Sequence, residues 1–178
     1  MKILTADDDL ERLYLLDTLL TKSGYKTIKA ENGAEALKKL KKSKVDAIIS
    51  DILMPKMDGF NLCRECKKDK KLREIPFLFY TATYKRKQDE EFALKLGADR
   101  FMIKPQKPEN LLKILDNVIS KKKKKKTGKQ FKEPVREKIY LAEHNRRVVK
   151  KLEDKIKSLD KEISRRKKTE VELGRRVK

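Results

Sequence analysis

The sequence contains very little cysteine or histidine, and this scarcity excludes several kinds of site. Its 178 residues include two cysteines and one histidine. Two cysteines cannot form the disulfide framework of a small secreted protein. Cys63 and Cys66 are spaced as C-x-x-C, but they lie within a predicted helix, and a zinc site would need two further ligands. We therefore expect both thiols to pack in the core.

The single histidine and the short hydrophobic runs exclude further classes. His144 is followed by Asn145 and Arg146 and lacks a histidine-kinase phosphorylation motif, so we interpret it as a solvated helix position. No run approaches the 18 or more apolar residues of a membrane-spanning helix. The first nine residues end in three aspartates and do not resemble a secretory signal. We expect a cytoplasmic protein with reduced thiols.

Positive charge dominates, but it is unevenly distributed. The chain has 49 Lys and Arg against 28 Asp and Glu, and residues 121–178 hold 24 of the former and 9 of the latter. The apolar runs are concentrated before residue 120. We therefore predict a folded domain over 1–120, a Lys-rich linker over 121–134, and a helical segment over 135–178.

The first 120 residues alternate between two hydrophobic periodicities. Short apolar runs predict strands at 2–6, 26–30, 46–50, 76–81 and 99–103. Amphipathic stretches between them predict helices at 9–23, 33–42, 60–68, 86–96 and 108–120. Five alternating units of this kind predict an α/β fold with a doubly wound parallel sheet.

Polar residues follow four of the predicted strands, at the point where each strand ends. They are Asp7 and Asp8, Asp51, Thr81 and Lys104. The carboxyl ends of parallel strands meet at one edge of a sheet, where ligands bind. Carboxylates, a hydroxyl and an ammonium group at that edge would suit a hard divalent cation and a phosphoryl group.

Four segments around these residues resemble the receiver domain of two-component response regulators, such as the chemotaxis regulators. They are Ile3–Asp9, Ser50–Gly59, Tyr80–Ala82 and Gly97–Pro105. The resemblance implies a flavodoxin-like sheet with strand order 2-1-3-4-5. It also implies a phosphorelay protein that takes a phosphoryl group from a histidine kinase or phosphotransfer protein, and is not a turnover enzyme.

The resemblance assigns the phosphorylation site to Asp51. It implies Mg²⁺, or Mn²⁺, bound by Asp8 and Asp51, by Asp7 directly or through water, and by the main-chain carbonyl of Leu53. Lys104 would pair with the phosphoryl oxygens. Such neutralisation makes a carboxylate a feasible phosphoryl acceptor.

Further positions are assigned to switching and to the lifetime of the phosphorylated state. Thr81 and Phe101 match the switch pair, although Phe101 could equally be a plain core aromatic. Phe101 occupies a position where receivers commonly have Tyr. Because it lacks the hydroxyl, it should adopt the buried rotamer more often, and we hypothesise a higher basal activity. Leu53 and Thr83 match the positions that tune phosphate loss. Because Leu53 has no polar group to orient water, we expect slow self-dephosphorylation.

The basic C-terminal segment carries an apolar heptad pattern with a short uninterrupted seam: Val149, Leu152, Ile156, Leu159 and Ile163. β-Branched residues at a and Leu at d favour a parallel two-stranded coiled coil, hence a homodimer. Charges would assist it, with Lys155 facing Asp160 and Glu162 facing Lys167 of the second copy. A single amphipathic helix packed on its own domain is the alternative. Residues 152–173 resemble the signalling helix that precedes PAS sensor domains, which implies an output domain beyond Lys178.

Three other functions compete with the receiver hypothesis. A haloacid dehalogenase-type phosphatase would need an acid two residues after the nucleophile, where this chain has Leu53. A DNA-binding regulator could use the basic tail, but no helix-turn-helix pattern is present, and we expect no specific nucleic-acid partner. A receiver fold used only for dimerisation would not be phosphorylated.

Overall fold

The computed structural model describes residues 1–84 and 86–124, together with separate helical positions between 142 and 166. The chain divides into two compact units, Met1–Pro134 and Val135–Lys178. In the first unit, strands and helices alternate: β1 Lys2–Ala6, α1 Leu10–Lys22, β2 Lys26–Ala30, α2 Gly33–Lys42, β3 Ala47–Ser50, α3 Gly59–Lys68, β4 Phe77–Thr81, α4 Lys87–Lys95, β5 Arg100–Ile103 and α5 Pro108–Lys124.

The five strands form one parallel sheet in the order β2-β1-β3-β4-β5. The doubly wound α/β fold and the flavodoxin-like strand order are therefore confirmed. β1 and β3 lie at the centre, and all four residues of β3 are buried. A strand covered on both faces must be apolar throughout, and this is why uninterrupted runs marked these elements in the sequence.

Helices cover the two faces of the sheet with different kinds of side chain. On one face, α1 and α5 pack aliphatic residues such as Leu16, Leu20 and Leu115 against the sheet. On the other face, Phe60 of α3 makes edge-on ring contacts with Phe79 of β4 and Phe92 of α4, at centroid distances of 5.3 and 5.0 Å. Both layers fix the sheet, so that its carboxyl edge is a rigid platform.

Three helices begin with a polar cap immediately after a strand or loop at that edge. The side chains of Asp9, Asn32 and Asp58 each accept a hydrogen bond from the backbone N–H three residues later, in α1, α2 and α3 respectively. Such caps satisfy N–H groups that have no partner within the helix. They therefore fix where each helix starts relative to the strand before it.

The last helix of the unit is longer than the sequence predicted. α5 extends to Lys124, whereas the prediction ended at residue 120 and treated the lysine run as linker. Lys122 explains part of the difference, because its Nζ donates to the carbonyl of Glu74 at 2.9 Å and lies 3.9 Å from Asp99. Contacts with the domain thus offset the repulsion between neighbouring lysines.

The second unit is described only at separate positions, all of them helical. Four predicted seam residues are among them, with exposed fractions of 54% for Val149, 58% for Ile156, 46% for Leu159 and 51% for Ile163. Glu162 pairs with Arg166 of the same helix at 2.7 Å. Leu152, Lys155, Asp160, Lys167, His144 and residues 125–134 lie outside the described residues.

The two cysteines lie on the buried face of α3. Cys63 and Cys66 are 0% and 1% exposed, and neither forms a disulfide. Burial raises the pKa of both thiols, that of Cys66 to about 12. They stay protonated near neutral pH and act as small apolar side chains. Within the described part of the chain, no helix combines the length and the apolar character needed to cross a membrane.

Candidate functional site

Three carboxylates converge where β1 and β3 end. Ala6 lies opposite Ser50 in the sheet, and Asp51 N donates to the carbonyl of Ala6 at 2.8 Å. This register brings Asp51 beside Asp7 and Asp8. Each of the three offers one oxygen, and these oxygens all lie within 4.8 Å of one another. The predicted acidic cluster is therefore formed, and we call Asp7, Asp8 and Asp51 the acidic cluster below.

The acidic cluster places three carboxylates close together in a site that is partly shielded from solvent. Asp7 and Asp51 are buried, at 4% and 3% exposure, while Asp8 opens to solvent. Partial desolvation, and then the charges of Asp7 and Asp51, raise the pKa of Asp8 above its ordinary value. Clustered carboxylate oxygens with an open side fit a hard divalent cation such as Mg²⁺, which keeps several waters and binds few protein carboxylates.

Lys104 supplies positive charge between two members of the cluster. It follows β5, and its backbone N–H donates to the carbonyl of Thr81 at 2.8 Å. Its Nζ donates to Asp7 Oδ2 and lies 3.3 Å from Asp51 Oδ2. The side chain is 11% exposed, so this ammonium group is poorly screened by water.

Thr81 and Phe101 occupy neighbouring strands of the same edge. Thr81 is fully buried at the end of β4, and its Oγ1 accepts a hydrogen bond from Thr83 N at 3.3 Å. Phe101 is half-buried on β5, with its ring 6.3 Å from that of Phe79. Leu53, two residues after Asp51, is 48% exposed. Its side chain adds no polar group to the site.

Two charged residues at the start of α1 were missed by sequence reasoning. Arg12 Nη1 lies 3.8 Å from Asp51 Oδ2, and its Nε lies 2.9 Å from Asp9 Oδ2. The hydrogen bond from Arg12 N, followed by the guanidinium charge, holds the pKa of Asp9 below its usual range. The spacing of Asp9 and Arg12, three residues apart at a helix start, was the signal that could have identified this pair.

Tyr80 also contacts the site through Lys104. The ammonium group lies 5.2 Å from the centroid of the Tyr80 ring, within the range of a cation–π contact. The Tyr80 hydroxyl accepts a hydrogen bond from Gln106 N at 3.2 Å. Tyr80 therefore supports both Lys104 and the loop that follows it.

Gly59 permits a close approach of α3 to the end of β3, where Asp51 lies. Gly59 N donates to the carbonyl of Ile52 at 2.8 Å. A Cβ at this position would overlap the carbonyl of Asp51 and come within 2.9 Å of Ile52 Cα. The absence of a side chain here is thus a condition for the position of Asp51.

Among known proteins, the chain matches part of one longer relative and nearly the whole length of a shorter one. The chain is 40% identical over 114 residues to the alkaline phosphatase synthesis transcriptional regulatory protein PhoP of Bacillus subtilis, covering 62% of this chain and 45% of PhoP. It is 33% identical over 119 residues to Protein PilH of Pseudomonas aeruginosa, covering 67% of this chain and 98% of PilH. The chain therefore spans less than half of the first relative and nearly all of the second.

A solved structure relates the acidic cluster to metal binding. The receiver domain of the sensor histidine kinase PA1611 from Pseudomonas aeruginosa, determined with a magnesium ion coordinated in its active site cleft, has a TM-score of 0.62 and 27% identity. The match covers 67% of this chain and 97% of that domain. Receiver domains bind Mg²⁺ at an acidic pocket and act as phosphoacceptors in two-component systems. The response regulator receiver domain model matches residues 3–116, and this chain belongs to that family.

Proposed function

We propose that Asp51 accepts a phosphoryl group from a histidine kinase or phosphotransfer protein, with Mg²⁺ held by Asp7, Asp8, Asp51 and the main-chain carbonyl of Leu53. The observation that carries the proposal is the acidic cluster bridged by the Lys104 ammonium group. A carboxylate acts as an acceptor when the negative charge around it is offset. Asp51 is buried, as Asp7 is, and it faces two side-chain cations, Lys104 and Arg12.

The transfer itself needs positioning more than covalent chemistry from the protein. An oxygen of Asp51 attacks phosphorus, the bond from phosphorus to the donor breaks, and its electron pair leaves with the donor group. Lys104 moves from the free carboxylates to the phosphoryl oxygens. Bound Mg²⁺ would offset charge on the transferring group. Mn²⁺ has the same preference for oxygen ligands and remains a prediction.

Thr81 and Phe101 form the switch in this proposal. The added phosphoryl group carries strong acceptor oxygens, toward which the Thr81 hydroxyl turns from its bond with Thr83 N. Phe101 then packs further inward beside Phe79. Phe101 is only half-buried, so that further burial of its ring is still available, which supports a switching role over a fixed core position.

The lifetime of the phosphorylated state depends on what can orient water at Asp51. Leu53 is about half exposed at the site and offers no donor or acceptor in its side chain. Thr83 donates its backbone N–H to Thr81 and is the second tuning position. Self-dephosphorylation is accordingly slow, taking minutes or longer.

The second unit forms a parallel homodimer through its seam. Val149, Ile156, Leu159 and Ile163 leave about half of each side chain exposed on a helix. Burying such a stripe against a second copy removes apolar surface from water. The role of residues 152–173 in leading to a PAS-type output domain, and a cytoplasmic location, remain predictions.

The comparisons do not favour the other functions, although PhoP is a transcriptional regulatory protein, because the match covers only 45% of PhoP. The family match ends at residue 116 and does not favour DNA binding by the basic tail. A dimerisation module without phosphorylation would not require the buried carboxylates and Lys104 to converge. The phosphoacceptor is therefore the function that the geometry supports best.

Labelling with a radioactive acyl phosphate and Mg²⁺ tests the phosphorylation site. We expect the wild-type chain to be labelled and Asp51→Asn to remain unlabelled, because the acceptor oxygen's nucleophilic charge is lost. Circular dichroism of both proteins checks that the fold is retained. Equal labelling of the two proteins would assign the phosphoryl group to another residue.

The acidic cluster should respond to Mg²⁺ and to loss of one charge. Because the pKa of Asp8 is raised, the metal-free fold gains stability as the pH falls through that raised pKa toward the ordinary value of an aspartate, and Asp8→Asn should raise the metal-free unfolding midpoint near pH 7. Mg²⁺ at ten times its dissociation constant should stabilise the wild type by about 1.4 kcal/mol. Thermal unfolding with and without MgCl₂ measures both effects. An equal gain from Mg²⁺ in Asp8→Asn would exclude Asp8 as a ligand.

Leu53→Asn should shorten the lifetime of phosphorylated Asp51, because an amide can orient an attacking water. We expect hydrolysis to accelerate roughly tenfold, which corresponds to about 1.4 kcal/mol and to one neutral hydrogen bond that positions the water. Loss of label over time, after removal of the phosphodonor, measures the rate. Leu94→Asn is the matched control, since Leu94 is 45% exposed on α4. A wild-type lifetime of seconds would contradict the role of Leu53.

Dimerisation through the seam can be tested by one buried charge. Ile156→Asp should convert the full chain from dimer to monomer, since an aspartate at a seam position would lose water without a partner. Sedimentation equilibrium measures the mass. Ser164→Asp places the same charge on the helix outside the seam and should leave the dimer intact. A wild-type chain that sediments as a monomer at high concentration would refute the proposed homodimer.

A further inference from the structure

The phosphoacceptor carboxylate faces a second cation that the receiver resemblance does not assign. Asp51 Oδ2 has Lys104 Nζ at 3.3 Å on the side of β5 and Arg12 Nη1 at 3.8 Å on the side of α1. The other oxygen, Oδ1, accepts a hydrogen bond from Ile52 N at 2.6 Å. The guanidinium and ammonium groups thus approach the same oxygen from two different elements.

Arg12 is held in this place by its own helix start. Its backbone N–H donates to Asp9 Oδ1 at 3.1 Å, while its Nε lies 2.9 Å from Asp9 Oδ2. The side chain remains 46% exposed, so the outer face of the guanidinium is accessible to a group arriving from solvent. A planar guanidinium with several N–H donors can keep one carboxylate and contact a second anion.

We propose that Arg12 is a second phosphoryl-binding cation, which contacts the group during its transfer to Asp51 and after it. The inference rests on the proposed phosphorylation of Asp51 and deepens it. Arg12 donates N–H groups to a phosphoryl oxygen as the bond from the Asp51 oxygen to phosphorus forms and the donor bond breaks. Lys104 contacts a different oxygen from the opposite side.

The charge balance of the site favours this role. Asp9 and the acidic cluster bring four carboxylates together, against the two side-chain cations Lys104 and Arg12. A bound divalent cation makes the set formally neutral, and phosphorylation then adds a negative charge. With Arg12 present, the phosphorylated site would carry one net negative charge. Without Arg12 it would carry two, around a buried Asp51 where water screens charge poorly.

A purely structural role accounts less well for Arg12. Its pair with Asp9 is partly exposed, and pairs of that kind contribute little to stability. A cation in the first turn also opposes the positive end of the helix dipole. Helix formation alone therefore gives no advantage to arginine here, whereas contact with Asp51 does.

The proposal predicts opposite effects on two measurements. A cation beside Asp51 attracts a phosphoryl group but repels Mg²⁺. Arg12→Gln should therefore slow labelling by an acyl phosphate at saturating Mg²⁺ by about fivefold, while Mg²⁺ itself binds about two- to threefold more tightly; both figures assume a partly screened charge contact. Arg12→Lys should fall between wild type and Arg12→Gln, because it keeps the charge and loses the fork.

The experiment combines initial labelling rates with calorimetric titration of MgCl₂ into the full chain. Lys68→Gln is the matched control, since Lys68 is 42% exposed, pairs with Glu65 at 3.7 Å and lies in the last turn of α3, away from the carboxyl edge. It should leave both values unchanged. Wild-type rates in Arg12→Gln, or slower labelling accompanied by weaker Mg²⁺ binding, would overturn the proposal.

Two comparisons keep the outcomes distinct. If the wild type is not labelled at all, or Asp51→Asn is labelled equally, the proposed phosphorylation of Asp51 fails. If labelling depends on Asp51 but Arg12→Gln labels at the wild-type rate, only the role of Arg12 fails. Should Arg12→Gln not fold, Arg12→Lys decides: a reduced rate with an unchanged unfolding midpoint supports the contact, and a wild-type rate overturns it.

Discussion

The rest of the site depends on the mutual repulsion of carboxylates that the sheet holds together. Asp7 and Asp51 follow neighbouring central strands, and the register of those strands leaves them no freedom to separate. Partial burial, and then the charges of Asp7 and Asp51, raise the pKa of Asp8. Burial of β1 and β3 supplies the free energy that keeps these charges close. Because the carboxylates repel one another at this edge, a cation bound there should stabilise the fold, and a phosphoryl group added there should need such a cation.

In the proposed switch, a change at the carboxyl edge would reach both helical layers because side chains of the edge contact them. Lys104 is bonded to Asp7, joined through its backbone to Thr81, and stacked over the ring of Tyr80. On the opposite face, Phe79 links Phe101 to the ring cluster of α3 and α4. A displacement of Lys104 or Thr81 therefore changes contacts on β4 and β5, and through them the surface that those helices form. The coupling is carried by packed neighbours whose positions are mutually dependent.

The fold was predictable from the sequence where burial controls the pattern. Strand ends fall within a residue of the predicted ones because a covered parallel strand must be apolar until it reaches the edge. The same logic identified Asp7, Asp51 and Lys104, since each follows such a run. The end of α5 was not predictable, because it depends on contacts of Lys122 with residues distant in sequence. Arg12 was missed for a related reason: its approach to Asp51 depends on how α1 is oriented on β1 and β2.

The two cations at Asp51 explain how a crowded acidic site can be ready for an anion. Lys104 and Arg12 already face an oxygen of Asp51, so the proposed phosphorylation would replace carboxylate partners with phosphoryl oxygens and would require little new ordering. Preorganised charge of this kind is most effective where water is excluded, which holds for Asp51 and Lys104 more than for Arg12. The buried ammonium group therefore sets the strength of the interaction. In our proposal, the half-exposed guanidinium of Arg12, which solvent can reach, makes the first contact with the incoming phosphoryl group.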